Sequence, residues 1–136
     1  MIDTQTGRIC FDGGLIVFPS TLIKDLAGFE DIKLTIDNGP WKRLSIRKIL
    51  LAGQKISLSI AFYNNLISSL EMACSIDGYD SWENYSLEKE ADRMKLNDQL
   101  FEKLTGLKPP QDFHWGSIKS LFDPRGGCSV LFIKYK

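Results

Sequence analysis

The chain has 136 residues, 43% hydrophobic and 25% charged, and its 17 basic and 17 acidic side chains cancel to a formal net charge of zero. Such a composition excludes a disordered polymer, and the length suits one domain built around one core. The balanced charge removes the basic excess that a duplex binder usually carries, so direct nucleic-acid binding is not expected.

The chain opens with two short apolar runs, residues 8–12 and 15–18. Gly13-Gly14 between them supplies the backbone freedom of a tight hairpin. After Pro19, Ser20 is placed to cap a short helix over Leu22, Ile23, Leu26 and Ala27 that Gly28 closes. From residue 31 to 76 the period is two. Ile32, Leu34 and Ile36 alternate with polar residues, as do Leu44 and Ile46, then Ile56, Leu58 and Ile60, then Leu70, Met72, Cys74 and Ile76. Asn38-Gly39-Pro40, Ala52-Gly53-Gln54 and Asn64-Asn65 are turn chemistry. Four consecutive strands with short links predict an antiparallel meander with one buried and one wetter face.

The period changes after Gly78. Ser86 can cap a helix running to about Thr105, with Gly106 as its stop and Pro109-Pro110 beyond. Its expected buried face carries Leu87, Ala91, Met94 and Phe101, widened by Leu96, Leu100 and Leu104. A last hairpin joins residues 117–122 to 128–135 through Asp123-Pro124-Arg125-Gly126-Gly127. The sum is a single α+β domain over residues 1–136, an antiparallel sheet of about six to eight strands with two helices.

Chemistry-bearing residues are scarce. Cys10, Cys74 and Cys128 are odd in number, form no C-x-x-C pair and lie in apolar runs, as reduced core thiols in the cytoplasm do. No stretch approaches the roughly 20 apolar residues that span a bilayer, and residues 1–8 do not read as a signal peptide. The single histidine, His114, sits between Phe113 and Trp115 as a structural residue. Asp112 and Asp123 are its nearest carboxylates in sequence, and no Ser or Cys stands in a triad signature. One histidine with scattered cysteines offers no metal-ligand spacing. The 123–127 run lacks the Lys-Ser/Thr pair and following helix of a phosphate loop. The sequence therefore predicts no catalytic residue, no cofactor and no metal.

Charge is segregated along the chain. Between Asp37 and Glu71 there is no acid, while Lys42, Arg43, Arg47, Lys48 and Lys55 are basic. Between Asp77 and Asp92 lie Asp80, Glu83, Glu88 and Glu90 with one base, Lys89. The plain reading is that both are solvated faces which pair within the fold. The functional reading takes Asp77, Tyr79, Asp80, Trp82, Glu83, Tyr85 and Glu88 as an acidic, aromatic patch for a basic partner, since aromatic residues rimmed by charge typify binding hot spots. Trp82 is equally placed to pack against the start of the helix.

The run Ile2-Asp3…Thr6-Gly7-Arg8-Ile9…Phe11 and the ending Phe113-x-Trp115-Gly116…Phe122-Asp123-Pro124-Arg125-Gly126-Gly127…Ile133-x-Tyr135 resemble small bacterial proteins encoded beside polymorphic toxins. These are the immunity proteins of contact-dependent growth inhibition and related systems. The resemblance implies a cytoplasmic, non-enzymatic inhibitor that binds the C-terminal toxin domain of a cognate protein and occludes its active site. Many such toxins are nucleases with basic surfaces, which an acidic patch would suit. The acid-free stretch from 38 to 70 instead leaves room for an acidic partner. The competing functions are a structural or adaptor module that self-associates as a homo-oligomer, and a small ligand-binding domain using a concave sheet face.

Overall fold

The computed structural model describes residues 1–76, 87–123 and 127–136. Its first elements are β1 (Ile9–Cys10) and β2 (Ile16–Val17), which pair antiparallel, and the one-turn helix α1 (Ile23–Leu26). The cap of α1 departs from expectation. Its N-cap position is Leu22, whose N–H donates to the Asp25 carboxylate at 2.9 Å. Thr21, not Ser20, bonds the preceding chain, accepting the Phe18 N–H.

The expected meander follows as β3 (Lys33–Asn38), β4 (Trp41–Leu51), β5 (Gln54–Tyr63) and β6 (Leu66–Cys74). Leu51 pairs with Gln54 and Tyr63 with Leu66, so Ala52-Gly53 and Asn64-Asn65 are two-residue turns. All four of these turn residues have positive φ, the twist that lets a two-residue link join right-twisted strands. Ile76 lies beyond the end of β6. The long helix α2 (Leu87–Thr105) comes next, then β7 (Gln111–Phe113), β8 (Gly116–Asp123) and β9 (Cys128–Tyr135). Seven strands make one antiparallel sheet in the order β3-β4-β5-β6-β9-β8-β7, with β9 inserted between the meander and the final strands.

Register explains the core. Leu44, Ile60, Leu70, Ile133 and Ile118 lie in one row across five strands, and Ile46, Leu58, Met72 and Leu131 fill the next. All nine are buried. Against this face pack Ile9, Phe11, Leu15 and Val17 of the first hairpin, Leu26 of α1, and Leu100 and Phe101 of α2. The edge strand β3 is exposed throughout, so Leu34 does not join the core as its alternation suggested.

The buried face of α2 differs from the expected one. Leu87 is 70% exposed and Ala91 is exposed, while Glu90, Arg93 and Asn97 are buried ahead of Leu100 and Phe101. The polar half of this stripe does work that apolar side chains cannot. Pairing between β6 and β9 stops at Met72 and Leu131. At the next level the Asn97 amide joins the parted strands, accepting from the Cys74 N–H at 2.9 Å and donating to the Ser129 carbonyl at 3.0 Å. Arg93 donates to the Cys74 carbonyl, and Glu90 accepts the Ser129 N–H at 2.7 Å while pairing with Arg93 at 3.2 Å. Buried backbone groups left open by the strand divergence are thereby satisfied.

Candidate partner-binding surface

Six of the seven residues of the expected acidic and aromatic patch, Asp77, Tyr79, Asp80, Trp82, Glu83 and Tyr85, lie outside the described residues, as does the cap Ser86. Glu88 is exposed in the first turn of α2. Glu90, an acid of the same stretch, points inward to Ser129 and Arg93, so it is fold rather than surface.

Of the residues that carry the resemblance, Gly7, Phe113, Trp115, Gly116 and Tyr135 converge on a structural clasp, while Pro124, Arg125 and Gly126 lie outside the described residues. Trp115 occupies the β7–β8 turn, stacks on Phe113 with ring centroids 4.9 Å apart, and donates from Nε1 to the Thr4 carbonyl at 2.8 Å. Gly7 lies flat against this indole. A Cβ there would stand 2.6 Å from Trp115 Cδ2, and its φ of +79° independently favours glycine. The Tyr135 hydroxyl donates to the Gly7 carbonyl at 2.8 Å, and burial pushes its pKa up. His114, beside Trp115 in the turn, is exposed.

Among the described residues, no group of three His, Cys, Asp or Glu side chains is placed to hold a metal. Burial raises the Cys74 pKa from 9.0 to about 11, against a smaller opposing pull from Arg93. A carboxylate also fastens the first hairpin to the meander. Asp12 accepts from the Gly53 and Ala52 N–H groups, both at 2.9 Å, and these bonds hold its pKa below the ordinary carboxylate value.

The second face of the sheet carries Arg43, Arg47 and Lys48 of the basic stretch, whereas Lys42 pairs with buried Phe62 on the filled face. The rows of the second face read Lys33, Ser45, Ser59, Glu71, Phe132 and Lys119, then Ile36, Arg43, Ala61, Ser69, Lys134 and Ser117. The two helices and the first hairpin bury their apolar residues against the opposite face. An open groove of about 950 Å³ runs along this second face, with Thr35, Ser45, Ser57 and Ser59 along it and Lys33, Arg47, Lys48, Asp31 and Glu71 among its charged residues. Arg43 donates to the Ser59 hydroxyl at 2.7 Å and stands 3.9 Å from Glu71. Arg43 of the basic stretch thus pairs within the fold, with Glu71, which lies outside the acidic stretch of the plain reading. At one end of the face Trp41 and Tyr63 pack at 4.9 Å between ring centroids, both half exposed. Strand parity carries the signal for this surface, since Trp41, Arg43 and Ser45 alternate with buried Leu44 and Ile46.

Fold and surface together describe a small α+β protein, one sheet face filled and the other grooved, polar and rimmed by aromatics. No protein-family model and no curated protein matches the chain. A chain in the solved structure described as Rhs1-CT in complex with cognate immunity protein RhsI1 shares this fold. The match covers 99% of the present chain and 86% of that one, at a TM-score of 0.64 and 15% sequence identity.

Proposed function

We propose that this chain is an immunity protein, a stoichiometric inhibitor that binds a cognate toxin domain and blocks it without chemistry of its own. One observation carries the reading: the fold match runs over nearly the whole chain, and it is to a structure described as Rhs1-CT in complex with its cognate immunity protein. The converging resemblance residues support it, since Gly7, Phe113, Trp115, Gly116 and Tyr135 build one clasp between the two ends of the chain. We place its action in the bacterial cytoplasm, where a buried thiol such as Cys74 stays reduced. No described helix is long and apolar enough to cross a membrane.

The test is co-expression with the toxin domain encoded beside it. The toxin alone should arrest growth, and the pair should grow and yield a one-to-one complex on gel filtration. Growth arrest that persists with abundant folded protein removes the reading. A nuclease target is the finer part of the proposal. It predicts that purified toxin degrades RNA or DNA and that one equivalent of this protein stops the degradation. The segment from Asp77 to Glu88 remains a contact candidate for such a basic target. Charge reversal at Asp80, Glu83 and Glu88 should then weaken binding and flatten its salt dependence.

A further inference from the structure

We propose that the open sheet face, at the end formed by Trp41, Tyr63, Leu66 and Arg43, is the surface on which an acidic segment of the partner protein docks. The proposal rests on the immunity-protein reading and assigns it a surface and a partner chemistry.

The register puts these residues on one side of the sheet. Trp41 pairs with Tyr63, Tyr63 pairs with Leu66, and Arg43 lies two residues from Trp41 on the same side of β4. Ile36 is opposite Arg43 because of the irregularity between Leu34 and Ile36. Trp41 is 48% exposed, Tyr63 46%, Leu66 45% and Ile36 46%. A cluster of four half-exposed large side chains on a small soluble protein marks an interaction site more often than chance scatter does. Tryptophan, tyrosine and arginine are also the residues that dominate binding hot spots, because they bury much area for little lost freedom.

Charge decides the occupant. The two rows beside the aromatic end contain Lys33, Lys119, Arg43 and Lys134, against Glu71 and, at the far edge, Asp112. The chain is neutral as a whole, so this excess is local. Arg43 is held in place by Ser59 and Glu71 rather than swinging free, so its remaining donors are oriented before a partner arrives. A partner carboxylate reaching Arg43 beside an apolar group on Trp41 and Tyr63 satisfies both features. The polar groove beyond, with its serine and threonine hydroxyls, then receives the adjoining partner backbone.

The experiment is calorimetric titration of a catalytically inactivated toxin C-terminal domain, from the gene beside this one, into wild-type and variant protein. Arg43→Glu and the double change Trp41→Ala, Tyr63→Ala should each weaken binding about thirtyfold or more, as hot-spot losses do. Arg43→Glu should also reduce the salt dependence. Because Trp41 and Tyr63 are half exposed, the double variant keeps its fold, checked by thermal melting. Glu102→Lys, at an exposed position of α2 on the other side of the sheet, should change affinity less than threefold.

If wild type binds tightly and protects cells while the face variants bind equally well, this surface is wrong and the immunity reading stands. If wild type neither binds nor protects, the reading itself falls and this proposal with it. Loss of binding through Asp80, Glu83 and Glu88 with the face variants unaffected assigns docking to the acidic segment and overturns the proposal. It is also overturned by a wild-type dimer in light scattering that Trp41→Ala dissolves, or by a 20-nucleotide RNA that binds the face and is lost with Arg43→Glu.

Discussion

The two faces of the seven-stranded sheet come from the same strands yet follow different rules. On the filled face the central rows are apolar and tightly enclosed, and helix α2 completes it with both apolar and buried polar side chains. On the open face hydroxyls, cations and half-exposed aromatics stand side by side, each partly solvated. The contrast teaches that one residue of register separates a position that governs stability from one free to serve recognition.

The sharpest way to break this comparison is a cavity on the filled face. Leu70, at the centre of the five-strand row, should cost about 3–4 kcal/mol of unfolding free energy when changed to alanine, read by urea denaturation. A smaller effect tests the polar stripe of α2. Asn97→Ala leaves the Cys74 N–H and the Ser129 carbonyl without their partner and should cost about 2 kcal/mol, more than an exposed helix position would. Early amide exchange at the β6–β9 junction should accompany it.

Alkaline pH probes the filled face without mutation. Both the Cys74 thiol and the Tyr135 hydroxyl have raised pKa values in the fold, so burial favours their neutral forms. The unfolded chain deprotonates first, and the stability they lend is intact below pH 9. For Cys74 it is lost between 9 and about 11, and for Tyr135 it begins to fall above 10. Thermal melts at pH 8, 9.5 and 11 should fall in order, and Cys74→Ala should flatten the first step. The smallest effect belongs to the open face. Ser57→Ala should move stability by less than about 0.5 kcal/mol, and a larger loss would mean the face is structural.

Much of the fold was legible. Period-two alternation and the positive-φ turns at Ala52-Gly53 and Asn64-Asn65 fixed the meander, and Gly106 ended α2 where expected, with φ +75°. What escaped was the inner face of α2. Hydropathy counts Glu90, Arg93 and Asn97 as outward residues, and only the distant strand ends at Cys74 and Ser129 reveal that their partners are backbone groups. Similarly, Ile36 alternates like a core residue, but β3 is an edge strand whose six residues are all exposed. For the candidate surface, the acid-free stretch was visible as charge. The parity that gathers Trp41, Arg43 and Tyr63 on one face was present too, and it needed the pairing of β4 with β5 to become a site.

The place of β9 in the sheet also sets the order in which the protein is assembled. The β3–β6 meander uses only neighbouring segments and can form early in synthesis. Its inner edge, along β6, is closed by a strand made after α2, β7 and β8. Until then the apolar row through Leu70 and Met72 ends at an open edge, a template for wrong pairing. The closed sheet is therefore a property of the finished chain and not of the nascent one.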